Sequence, residues 1–156
     1  MNVQRKDKGF TIIEVVLVLA IAGLIFLMVF IALPALQRNQ RDQERKTQVG
    51  AVATAITTYQ SNNRGQSPSA NATFAKYIDA TMNGDKIELQ SGATVQQFTG
   101  TATTTPIAVT AATEDTIVFA IGAKCDVDNK IIKGTSRQAA VLVGLENGGA
   151  TYCQST

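Results

Sequence analysis

The chain contains no histidine. That removes the residue on which metal triads, serine-protease triads and most general-base catalysis rely. Cysteine is scarce as well: Cys125 and Cys153 are the only two, both near the C-terminal end. Two thiols without histidine cannot complete the common zinc sites. They read as one disulfide if that end lies outside the cytoplasm, and as two buried free thiols if it does not. Excess charge is missing too. The formal net charge is +2, and Arg5, Lys6 and Lys8 against Asp7 account for all of it, leaving the chain beyond Gly9 neutral. A neutral body is not one built to coat nucleic acid. No glycine precedes a Lys-Ser/Thr pair, so there is no phosphate-binding loop. No basic patch is interleaved with aromatics, so DNA binding is not supported. The residue inventory predicts no catalytic residues, no metal and no cofactor. A length of 156 residues bounds the chain to one small globular domain plus one appended element.

The appended element is an uncharged run from Val15 to Leu36, VVLVLAIAGLIFLMVFIALPAL. As a helix it is about 33 Å long at about 1.5 Å per residue, enough to cross a bilayer core of about 30 Å. It is apolar on every face, and the rest of the chain is too small to wrap it as a core helix. A cleaved secretory signal has a shorter apolar stretch and a small-residue site after it. Here the run is followed by Gln37 and the charged segment Arg38–Lys46, so a processing signal belongs before the run. The positive-inside rule gives no clean orientation, because Arg38, Arg41, Arg45 and Lys46 follow the span as Arg5, Lys6 and Lys8 precede it. The cysteine pair favours an exported C-terminal side.

The junction reads RKDKGFTIIEVVLVLAIAGLI. Lys8, Gly9, Phe10, Thr11 and Glu14 resemble the N-terminus of type IV prepilins and the related pseudopilins, and the resemblance covers about the first 60 residues. It implies a leader, 1–9, cut between Gly9 and Phe10 by a prepilin peptidase on the cytoplasmic face, and N-methylation of the new Phe10 amine. Glycine fits a protease cleft because it carries no side chain. Glu14 lies at the membrane boundary, where an ionised acid needs a partner, and no basic residue lies one helical turn away. The resemblance supplies one: the N-terminal amine of an adjacent subunit, which sets the axial register of a filament. Gly23 and Pro34 fall inside the span. Proline removes a donor and crowds the carbonyl of Phe30, so a kink is expected there. The resemblance offers an alternative, a stretch partly unwound between a glycine and a proline, although the family's usual proline falls about three residues earlier, where Ile31 stands.

Beyond Leu36 the pattern stays helical. Val49, Val52, Ala53, Ile56 and Tyr59 form one stripe, with Gln48, Thr54, Thr57 and Thr58 opposite. One helix is expected from about Phe10 to Ser61, closed by the turn residues Asn63, Gly65 and Pro68. Its first half, 10–36, is for membrane or filament core; the second, 37–62, is amphipathic and packs on a head, 63–156. The run RNQRDQERK reads as a solvated stretch. A short helix is predicted over Ala72–Thr81. Strands are predicted around Ile87 and Leu89, around Ile107 and Val109, over Thr116–Gly122 and over Ala139–Leu145, with a turn at Glu146–Gly149 and a hairpin partner at Ala150–Cys153. The fold class is α+β, pilin-like: a long N-terminal helix on an antiparallel sheet. A Cys125–Cys153 bridge closes a loop of about 29 residues, and in pilins such a pair often brackets a surface loop.

Weaker patterns carry less. Asn71-Ala72-Thr73 matches a glycosylation acceptor by chance. Thr99–Thr116, with Pro106, reads as an exposed polar loop. Asp126, Asp128 and Asn129 offer oxygen ligands without calcium-loop glycine spacing. Three functions follow. The first is a type IV pilus subunit in a homopolymeric filament, with other pilins, the peptidase, the assembly platform and membrane lipid as partners. Before assembly its N-terminus is cytoplasmic and it crosses the membrane once; afterwards it lies at the cell surface. Adhesion, motility and DNA uptake are what such filaments do. The second is a pseudopilin of a type II secretion system, and the third a bitopic membrane-anchored binding protein.

Overall fold

The computed structural model of the chain describes residues 9–69, 74–83, 86–146 and 149–156. Its contacts divide it at Asn39/Gln40 into an N-terminal unit and a head unit. Helix α1 runs Ile12–Asn62, two residues later at its start than expected. Every residue from Gly23 to Pro34 is helical in the single chain. Pro34 deletes one donor, and the helical bonds on either side are kept. No residue of the apolar part is buried, and Ile12, Leu24 and Phe30 are among the exposed side chains. By length and composition α1 is able to cross a membrane.

In the head unit the predicted stripe is the buried one. Val49, Val52, Ala53 and Ile56 are buried, joined by Ala55, with Tyr59 half-buried. The helix closes with Arg64 and Gly65 in the left-handed region, and the Gly65 N–H donates to the Gln60 carbonyl at 2.7 Å.

The head strands are β1 (Ala80–Asn83), β2 (Lys86–Leu89), β3 (Thr94–Gln97), β4 (Thr116–Ile121), β5 (Ala123–Cys125), β6 (Ile131–Lys133), β7 (Ala139–Gly144) and β8 (Thr151–Ser155). Six of them form one sheet in the order β1-β2-β3-β4-β7-β8, and β5 and β6 form a separate ribbon. The sheet is mostly antiparallel. Within the sheet expected as antiparallel, β3 and β4 pair in parallel. Parallel neighbours need a long crossover, and the threonine-rich segment after β3 supplies it. That segment is therefore a covering layer, not a free polar loop: Val109 and Ala112 are buried, and Phe98, Ala102 and Ile107 pack beside them.

Both faces of the sheet are thus covered, which is why β4 and β7 read as continuous apolar runs. Ile117, Phe119, Val141 and Val143 face the α1 side; Val118, Ala120, Ala140 and Leu142 face the crossover and the β5–β6 ribbon. Phe74 meets Phe119 edge to face, centroids 4.9 Å apart. The crossover approaches Gly144 closely: a Cβ there would lie 2.8 Å from the Thr113 carbonyl carbon.

Two predicted elements are corrected. The helix over Ala72–Thr81 shrinks to a single 3-10 turn at Ala75–Tyr77, with Ala80 and Thr81 in β1; cross-strand pairing with β2 outweighs a short run of helical spacing. Ile107 and Val109 make no strand, only a bridge between Ile107 and Ile131. The leader up to Lys8, the Asn71-Ala72-Thr73 pattern and the Asn147-Gly148 centre of the expected turn lie outside the described residues.

Candidate functional site

The junction and the start of α1 come first. Gly9 and Phe10 precede the helix, and the Phe10 ring is 90% exposed. Thr11 is the N-cap. Its carbonyl accepts from Glu14 N–H at 3.1 Å, and its hydroxyl oxygen accepts weakly from the same N–H at 3.4 Å. Glu14 answers: its Oε2 accepts from the Thr11 N–H at 3.0 Å and from the Thr11 hydroxyl at 2.8 Å. This is a capping box, which satisfies helix-end donors reciprocally. The signal was present in the sequence as Thr-x-x-Glu before an apolar run, and sequence reasoning overlooked it. Among the described residues, both hydrogen bonds of the Glu14 carboxylate fall on one oxygen.

Cys125 at the end of β5 and Cys153 in β8 form a disulfide, with Cα atoms 5.8 Å apart. The neighbouring oxygens are used in building this corner. Asp126 Oδ1 accepts from the backbone N–H groups of Asp128 and Lys130, both at 2.9 Å. Asn129, with φ of 57°, accepts from Cys153 N–H through Oδ1 and from the Thr151 hydroxyl through its carbonyl. Among the described residues no group of three or more His, Cys, Asp or Glu is arranged to hold a metal.

The charged run after the span is not simply solvated, a correction to the sequence reading. Asp42 is buried, and Arg45 keeps only 11% of its side chain exposed. Arg45 Nη1 bonds Asp42 Oδ1 at 3.1 Å, its Nη2 bonds Glu146 Oε1 at 3.0 Å, and its Nε donates to the Glu114 carbonyl at 3.0 Å. Arg41 takes Glu146 in a fork, Nε to Oε1 at 2.6 Å and Nη2 to Oε2 at 2.7 Å. Asp42 Oδ1 also accepts from the Glu146 backbone N–H at 3.0 Å. Hydrogen bonds from Arg41, aided by Arg45, pull the Glu146 carboxyl down to about 2 against the opposing effect of desolvation. The same pairing holds the Arg41 guanidinium above its ordinary value.

Compared with known proteins, residues 4–30 match the family model for the prokaryotic N-terminal methylation motif. The match spans Gly9, Phe10, Thr11, Glu14 and Gly23, and stops before Pro34. No match was found among the curated proteins or the solved structures.

Proposed function

We propose that this chain, whose N-terminal segment is a type IV prepilin-type signal and which is pilin-like in architecture, is a structural subunit of a type IV pilus. The observation that carries the reading is a coincidence at one end of the molecule. The methylation motif, the Thr11–Glu14 cap and the start of a helix half exposed on every side fall together. A peptidase cut between Gly9 and Phe10 leaves an amine at Phe10, which is methylated. Glu14 lies in the first turn of α1, and its Oε1, which accepts no hydrogen bond among the described residues, is available to the amine of a neighbouring subunit. A surface that dissolves in lipid tails packs equally well among sister helices, so one apolar rod serves the membrane and then the filament core. Between Thr47 and Asn63 α1 carries no charge, so its outward face can pack without desolvating ions. The assembled filament lies at the cell surface and works mechanically, with no catalytic step.

The bridged C-terminal corner supports the pilus over the secretion pseudopilin, since major pseudopilins commonly carry a calcium loop in that region. Intact-mass analysis of the mature protein tests the processing: it should begin at Phe10 and carry one methyl group. Sheared surface fibres from wild type and Glu14→Ala test the assembly. Fibres formed equally well by the alanine variant would remove Glu14 from the mechanism, and a mature protein starting at Met1 would remove the pilus reading.

A further inference from the structure

The first two turns of α1 in the head unit have an unusual attachment. Apolar packing on the head begins at Val49, and Asp42 is the only buried residue of α1 before it. From Gln40 to Gln48 the helix therefore lacks the buried apolar stripe that ordinarily fixes a helix to its domain. What it has is charge. Arg41, Asp42 and Arg45 grip two sites far along the chain, Glu114 in the turn before β4 and Glu146 just after β7. Strands β4 and β7 are hydrogen-bonded neighbours, and neither is an edge strand of the sheet. So these turns are tied to the ends of the sheet's two most buried strands.

We propose that Arg41, Asp42, Arg45, Glu114 and Glu146 form a latch that stops loosening of α1 at Gln40 and keeps it from spreading into the head. Isolated surface ion pairs contribute little, but this cluster differs in three ways. One pair is a bidentate fork, two members are nearly buried, and a backbone N–H completes the coordination of Asp42. Without it, α1 is free to fray as far as Val49, a little over two turns. The latch is a property of the head unit and stands whether or not the filament is a pilus. Its place in the chain, directly after the span, suits a helix whose first half has to change surroundings.

The test is amide hydrogen exchange, read by mass spectrometry, on the full chain in detergent micelles. In wild type the amides of residues 42–48 are expected to be protected. Arg41→Gln removes a half-exposed partner, and Glu146→Gln removes the hub charge. Each is expected to speed exchange in 42–48 by about tenfold or more while β4 and β7 keep their protection. Arg41→Lys, retaining charge but not the fork, should fall between. Unchanged exchange in 42–48 in the folded Arg41→Gln and Glu146→Gln proteins overturns the latch. A uniform acceleration across the whole head overturns it as well, since the cluster would then be a general stabiliser. Arg45→Met, which strands Asp42 without its counter-ion, is read by the same segment; if it does not fold, the other two variants decide.

Discussion

Replacing Cys125 and Cys153 together by alanine opens a loop closed by residues 28 apart in sequence. Chain-entropy arithmetic for a loop of that size gives about 3.5 kcal/mol of stabilisation, acting on the unfolded chain. The folded side changes less. β8 keeps five registered pairs with β7, from Ala140–Ser155 to Gly144–Thr151. The β5 corner stays tethered by Cys125 N–H to Ser155 Oγ at 2.8 Å and by Cys153 N–H to Asn129 Oδ1 at 3.2 Å. Both of those bonds use backbone donors and survive the substitution. A head of about 120 residues has an unfolding entropy of about 0.25 kcal/mol/K, so the expected fall in Tm is about 14 °C. The assay is thermal unfolding of the full chain in detergent followed by tyrosine signals, since Tyr59, Tyr77 and Tyr152 all lie in the head. Wild type treated with a reductant should shift as the double variant does, and the denaturant m-value should rise because the unlinked chain exposes more surface. A shift under about 4 °C in both samples would refute the loop-entropy reasoning and place the stability of this corner in the β7–β8 pairing and the Asn129 bonds.

Three further outcomes are expected. Phe119→Ala empties a fully buried site against Phe74 and should cost about 3–5 kcal/mol, read as a lower urea midpoint. The Glu146 carboxyl is held at about 2 in the fold against an ordinary 4.5; because the folded value is the lower, its contribution is fully present above about 4.5 and is lost as pH falls towards 2. Urea midpoints measured from pH 6 to pH 2 should therefore drop across that window and drop less in Glu146→Gln; identical profiles would refute the pairing. Thr11→Ala removes the helix cap, a loss of about 1 kcal/mol, and should speed amide exchange at the first turn of α1 in micelles, whereas Thr11→Ser should not.

What the sequence disclosed followed from periodicity. The stripe Val49, Val52, Ala53 and Ile56 announced the buried face of α1, and the apolar runs over β4 and β7 announced the sheet interior. Short-range chemistry was legible in principle, and the Thr11–Glu14 cap was simply missed. What was not legible depends on distant partners. Asp42 and Arg45 look like any solvated helical pair until Glu146, about a hundred residues on, arrives beside them. β3 carries one buried apolar residue, Val95, in four, too weak an alternation to announce a strand, and nothing local marks its parallel pairing with β4. The crossover looked like a polar loop because Val109 and Ala112 are spread among threonines, and only the sheet's second face reveals what they cover.

Neither core cluster of the head includes any residue before Val49. The head is therefore complete in its apolar packing without the first 48 residues, and the sequence of the rod is free to answer to other demands. An apolar helix with no intramolecular cover must be solvated by something, and lipid and sister helices are the two surroundings that cost nothing in desolvation. A direct apolar continuation of the rod into the head would have let the exposed surface run unbroken onto the core stripe, so that sticky surface and folded interior merged. The charged segment Arg38–Lys46 prevents that. Its charges do not sit easily in a bilayer, and three of its residues, Arg41, Asp42 and Arg45, find partners on the head instead. One short stretch thus ends the membrane-compatible surface and begins the folded domain, using ions where every neighbouring stretch of α1 uses methyl groups.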